Sequence, residues 1–152
     1  MSTHIVAIDP DLNASGVAAW NNKTQKWTFA KSVSIENLLT ELKDLDPAET
    51  TVFIEAGWKI KKSNLRGGNY RTAQAKARNV GENHATGILI AKIIRGAGYN
   101  VVEFSPLRKG IFKKLSGSWS DLGRSYIENQ SGLTHRMNDD VRDAIYSVLH
   151  FR

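Results

Sequence analysis

Three apolar runs crowd into the first 31 residues, and the shortness of their links limits how they can pair. Residues 3–8 (Thr-His-Ile-Val-Ala-Ile) are β-branched and apolar and end at Asp9-Pro10, which reads as a buried strand whose pairing stops at the proline. Residues 10–15 are turn-rich, and residues 16–20 form a second apolar run closed by Asn21-Asn22. Residues 26–31 alternate, as an edge strand with one wet face does. Links this short join antiparallel neighbours, because a parallel pair needs a crossover of about a dozen residues or more. The opening of the chain is therefore predicted to be an antiparallel meander.

The period then changes. Residues 34–45 read as a helix with Ile35, Leu38, Leu39 and Leu42 on one face, Ser34 as N-cap and Pro47 beyond its end. Residues 51–55 (Thr-Val-Phe-Ile-Glu) form a fourth, buried strand. Residues 73–98 read as a long helix with Ala85, Ile88, Leu89 and Lys92-Ile93 on its apolar face, stopped by Gly96 or Gly98. Residues 100–104 make a fifth strand, residues 107–115 and 120–129 short helices, and residues 141–151 a terminal helix with Val141, Ala144, Ile145, Val148 and Leu149 inward. This order predicts an α/β fold: a mixed five-stranded sheet, three antiparallel strands followed by parallel ones, flanked by helices. At 152 residues the chain is expected to form one domain.

Charge narrows the functional classes. Lys and Arg number 21 against 15 Asp and Glu, a formal net charge of +6. A basic excess suggests a polyanionic partner, nucleic acid first. The absence of cysteine excludes disulfides, thiolate metal sites and a cysteine nucleophile. No apolar run reaches the roughly 18 residues a membrane span needs. Met-Ser-Thr-His leads straight into a strand, so no signal peptide is read and a soluble, cytoplasmic protein is expected.

Four acids stand out by position. Asp9 closes the first strand, Glu55 closes the fourth, and Asp140 and Asp143 open the terminal helix at i, i+3, on one face. In open α/β sheets, sites gather at the carboxyl ends of strands. If strands one and four are parallel neighbours, Asp9 and Glu55 lie side by side, and the helix start can deliver both aspartates to the same point. Converging carboxylates repel unless cations sit between them. Oxygen-only ligands suit Mg²⁺ or Mn²⁺, and two such ions about 4 Å apart promote phosphodiester cleavage. Each aspartate also has an ordinary role open to it, whereas Glu55, an acid after four residues of buried strand, wants a partner. Asp before Pro is turn chemistry, and Asn138 or Asp139 can cap the helix.

Ile8-Asp9-Pro10 followed by Ser15-Gly16-Val17-Ala18 resembles the opening of the RuvC-type Holliday-junction resolvases, of the RNase H-like nuclease superfamily. Phe53-Ile54-Glu55 resembles the second acidic motif of that family, and Asp140-Val141-Arg142-Asp143-Ala144 its C-terminal Asp-x-x-Asp-Ala helix. The resemblance runs nearly end to end. It implies that Asp9, Glu55, Asp140 and Asp143 are catalytic and bind two Mg²⁺ ions. It implies a homodimer that cuts opposed strands of branched, four-way DNA, with Trp58 stacking on a base near the junction. The helix from Val80-Gly81-Glu82 to Ile88 resembles the dimer-forming helix. The resemblance departs at Ser116-Gly117-Ser118-Trp119-Ser120-Asp121, where the family carries a lysine; here Lys109, Lys113 or Lys114 is left to supply that charge.

Two acid-free basic blocks follow strand ends. The first holds Lys59, Lys61, Lys62, Arg66, Arg71, Lys76 and Arg78, around Gly67-Gly68-Asn69; the second holds Arg108, Lys109, Lys113 and Lys114. Both are expected to bring phosphates to the acidic site, with Trp58 and Tyr70 placed to stack on unpaired bases. Lys76 and Arg78 read as a solvated helix face, and Trp119 and His84 as packing residues. Two other readings keep the same fold: a non-catalytic nucleic-acid-binding module, and an RNase H-like nuclease acting on RNA or RNA–DNA hybrid. An actin-like ATPase can begin in the same way but needs two such domains.

Overall fold

Alternation along each strand sends successive side chains to opposite faces of the sheet, and this parity decides where the acids emerge. The computed structural model describes residues 1–59 and 70–152, with the backbone alone at Tyr70. Lys61, Lys62, Arg66 and Gly67-Gly68-Asn69 lie outside the described residues. Strands β1 (His4–Asp9), β2 (Ala14–Asn21) and β3 (Lys26–Ser34) form the antiparallel meander; β4 (Thr50–Glu55) and β5 (Asn100–Phe104) add in parallel on the far side of β1. The order is β3-β2-β1-β4-β5, the mixed five-stranded sheet expected from the sequence.

On one face Val6, Ile8, Val17, Ala19, Val52 and Ile54 pack against helix α1 (Leu38–Leu42) and the sheet-proximal part of α2 (Tyr70–Gly96). On the other, Ile5, Ala7, Ala18 and Trp20 pack against α3 (Asp121–Ser131) and α4 (Asp139–Phe151). Phe53 belongs to this second face and stacks on Phe151, ring centroids 4.1 Å apart. By the same parity Asp9 follows Ala7, and Glu55 follows Phe53, onto the α4 side. The pairing of Ile8 with Ile54 sets the two acids side by side. Asn138 caps α4, its side-chain oxygen accepting from the Val141 N–H at 3.0 Å. No helix among the described residues is long and apolar enough to cross a membrane.

Three elements differ from the sequence expectation. Residues 34–45 are a 3₁₀ turn (Ile35–Asn37) followed by the short α1, because β3 runs on to Ser34 through pairing with Ala14. Residues 107–115 contain a single 3₁₀ turn (Gly110–Phe112) that leads into a hairpin bridged at Lys113 and Trp119. Gly110 and Gly117 adopt positive φ there, which interrupts helical continuation. Helix α2 is rotated from the phase its large apolar residues suggest. Thr86, Gly87, Ile90, Ala91 and Ile94 are buried, whereas Ala85, Ile88 and Leu89 are exposed. The buried stripe uses small residues because the Trp58 ring lies against the helix; a Cβ at Gly87 would come 2.9 Å from its Cη2.

Candidate active site

Three elements bring the acids together. Asp9 ends β1 and pairs with Gly16 of β2. The first turn of α4 sits directly on that glycine. A Cβ at Gly16 would run into the Asp140 carbonyl and lie 2.6 Å from the Val141 backbone nitrogen. The missing side chain therefore lets the helix descend far enough for its aspartates to reach the strand end. Carboxylate oxygens of Asp9, Asp140 and Asp143 lie within 4.8 Å of one another. Glu55 stands beside them on β4, outside that tight set but near enough for its charge to act on Asp9.

Crowding and burial make ionisation costly. Burial, then the charges of Glu55, Asp143 and Asp140, push the Asp9 carboxyl well above its ordinary range, against the pull of Lys109. Burial raises Glu55, and Lys109 opposes the shift. Asp140 is raised to about 6 by burial and by Asp11, Asp143 and Asp139.

Two lysines offset part of this repulsion. Lys109 Nζ lies 3.0 Å from Asp143 Oδ1 and 3.7 Å from Glu55 Oε2. Burial works against its charge, but Glu55 and Asp143 outweigh it and raise its pKa. Lys113 Nζ donates to Asp143 Oδ2 at 2.9 Å. Even so, Glu55 Oε2 and Asp143 Oδ1 are buried oxygens without a well-directed hydrogen bond among the described residues. With the carboxylates of Asp9 and Asp140, these oxygens form an all-oxygen donor set that fits a hard divalent cation.

The remaining predicted residues scatter. Lys109 and Lys113 turn into the carboxylates, while Arg108 and Lys114 stay on the surface. Arg71 is exposed on α2, and Lys59 Nζ lies 3.7 Å from Glu103. Lys61, Lys62, Arg66 and the Tyr70 side chain are not described. Trp58 meets His84 edge-on, centroids 6.4 Å apart. Together with Pro10, Asn83 and Pro106 they wall a cavity of about 280 Å³ that reaches Asp9 and Glu55. Trp119 is buried beneath the hairpin, and its backbone N–H donates to Asp139 at 3.2 Å. His135 donates to the Ala30 carbonyl at 2.9 Å. Sequence reasoning missed the close approach at Gly16 and the counter-ion placement of the two lysines. A glycine opposite a strand-end acid is the only signal for the first; for the second, the position of Lys109 and Lys113 just after a strand end places them near the acids but does not show that they pair with them.

No protein-family model matches the chain, and no curated protein matches it in sequence. Solved structures do match in shape. T. thermophilus RuvC in complex with Holliday junction substrate superposes with a TM-score of 0.57 and 14% identity, over 97% of this chain and 90% of that one. A second Thermus thermophilus RuvC structure gives a TM-score of 0.48 and 13% identity, over 98% and 95%. With the strand order described above, the first likeness establishes that this chain has the RNase H-like fold of the RuvC type.

Proposed function

We propose that the chain is a divalent-metal-dependent endodeoxyribonuclease that resolves four-way DNA junctions. The observation that carries this reading is the meeting of Asp9, Asp140 and Asp143 beside Glu55, at the carboxyl end of the central strands of an RNase H-like sheet. These four residues would hold Mg²⁺ or Mn²⁺, two ions per site. Ions bound there supply Lewis-acid activation of a phosphodiester towards water. The side chains do the rest. Asp9 and Glu55 give a rigid strand-borne wall, and Asp140 and Asp143 close it from the helix. Lys109 and Lys113 keep the carboxylates compact and leave cationic charge where a phosphate would arrive. Trp58 offers a stacking surface at the mouth, and Arg71, Arg108 and Lys114 offer surface charge for the backbone.

One such site cuts one strand, so symmetric resolution needs two copies. The outward strip of Ala85, Ile88 and Leu89 on α2 suits a second copy, since exposed large apolar residues grouped on one helix face favour association. The test is cleavage of a synthetic four-way junction with Mg²⁺, beside linear duplex and RNA–DNA hybrid of the same sequence. Preferential junction cutting, lost in Asp9→Asn, is expected. Equal cutting by Asp9→Asn would sink the site assignment. Preference for the hybrid would replace the substrate.

A further inference from the structure

A second cavity, of about 880 Å³, opens beside the carboxylates and shares Asp140 with them. One wall is the edge strand at Lys31 and Ser32, the other is the segment that leads into α4, and Arg124 of α3 stands at the rim. Hydrogen bonds hold the walls together: His135 donates to the Ala30 carbonyl at 2.9 Å, and Asn138 Nδ2 to Ser32 Oγ at 2.9 Å. A smaller cavity of about 240 Å³ shares Arg124, His135, Met137 and Arg142, and extends the groove along α3.

The groove is cationic in a graded way. At its inner end, Arg142 is engaged by Asp139 at 2.7 Å, and on the strand wall Lys31 is engaged by Glu41 at 2.7 Å. Arg124 and Arg136 line the same groove, are exposed, and have no ion pair or side-chain hydrogen bond among the described residues. One end therefore presents carboxylates suited to metal, and the body of the larger cavity presents two uncommitted guanidinium groups, while Asp121 and Glu128 line the extension along α3. A small anion gains nothing from the acidic end, whereas a polyanion that has one phosphate at the metal site and others further along uses both. The apolar Met137 on the groove wall gives a surface for sugars or bases.

We propose that this groove carries the nucleic-acid strand as it leaves the carboxylate cluster, with Arg124 and Arg136 each on a phosphate. The assignment rests on the nuclease reading of the adjacent site, but the two arginines are not among its ligands. Each phosphate contact contributes about 0.7–0.9 to the slope of log K against log salt. Labelled four-way junction is titrated with wild-type protein and with Arg124→Gln/Arg136→Gln between about 50 and 200 mM salt. The double variant should flatten the slope by about 1.4–1.8, and Arg→Lys at both positions should restore it. Lys26→Gln/Lys43→Gln removes the same charge from exposed positions outside the groove and should leave the slope unchanged. Equal slopes for the two glutamine variants would overturn the proposal. So would an effect on poly-glutamate capture without one on DNA, which would make the ligand an acidic polypeptide. A protein that shows the groove-dependent slope yet never cuts would overturn the nuclease reading and leave the groove standing.

Discussion

Replacing Gly16 by alanine adds one methyl group at the point where α4 rests on β2. The new Cβ would lie 2.6 Å from Val141 N, against the 3.4 Å at which ordinary van der Waals contact begins. The helix start must therefore retreat by about 0.8 Å at that atom, and by more at the Asp140 carbonyl. Asp140 and Asp143 ride on this turn, while Asp9 is held by its pairing with residue 16 itself, so the retreat opens the cluster. Overpacking of this kind costs about 1–3 kcal/mol, which for a chain of this length lowers Tm by roughly 2–12 °C. A displacement near 1 Å in a catalytic constellation costs about 100-fold in rate. Gly16→Ala should thus remain folded at 25 °C by circular dichroism, bind junction DNA with near-normal affinity, and cut it about 100-fold more slowly. Its Tm should also respond less to Mg²⁺, since a ligand stabilises the folded state only in proportion to its affinity for it. A variant with lowered Tm but unchanged cutting and unchanged Mg²⁺ response would refute the claim that this glycine sets the carboxylate register.

Other perturbations have equally definite outcomes. The raised pKa values of Asp9, Glu55 and Asp140 mean that the folded chain holds protons the unfolded chain has released, so metal-free stability should fall as pH rises from about 4 through about 6. Denaturant titrations in chelator at pH 5 and pH 7 check this, and greater stability at pH 7 would contradict it. Mg²⁺ should reverse the trend, because it binds the deprotonated carboxylates. Lys109→Met strips a buried counter-ion from Asp143 and Glu55 and should cost about 3 kcal/mol in chelator, with part recovered in Mg²⁺. Gly87→Ala pushes on the Trp58 ring and should alter its fluorescence and weaken junction binding, while circular dichroism stays native. Ile88→Asp/Leu89→Asp should convert a sedimenting dimer into monomer; a wild-type protein that is monomeric with and without junction DNA would remove the basis for that interface.

The legible parts of this chain are those where covalent geometry leaves few choices. Short links between apolar runs fix the meander, and once β1 and β4 pair in parallel, alternation along each strand sends Asp9 and Glu55 to one face. The i, i+3 spacing of Asp140 and Asp143 likewise survives from sequence to helix. The parts that were illegible depend on partners far away in the chain. Lys109 and Lys113 sit in an acid-free block that resembles a phosphate-binding surface, and only folding reveals that the nearest anions are internal. The largest residues of α2 mark one apolar face, but the sheet-facing side packs against Trp58 and accepts Thr86, Gly87 and Ala91 because they are small. Residues 34–37 could continue a strand or begin a helix, and the hydrogen bonds offered by β2 decide in favour of the strand up to Ser34.

The parallel pairing of β1 with β4 joins His4 to Thr50 and Ile8 to Ile54, whereas β1, β2 and β3 contact one another across short turns. Contacts between distant residues close late, because the chain loses loop entropy before it gains them. The carboxylate cluster spans an even greater separation, from Asp9 to Asp143, and exists only once α4 has docked. During folding the meander can therefore form without bringing the four acids together; Asp9 and Glu55 meet when β4 pairs with β1, and the full repulsion arises only when α4 docks. Divalent ions would then act after the rate-limiting barrier. They should slow unfolding and leave the folding rate nearly unchanged, a division that stopped-flow measurements with and without Mg²⁺ would reveal. Acceleration of folding by Mg²⁺ would instead mean that the ends of this chain meet early.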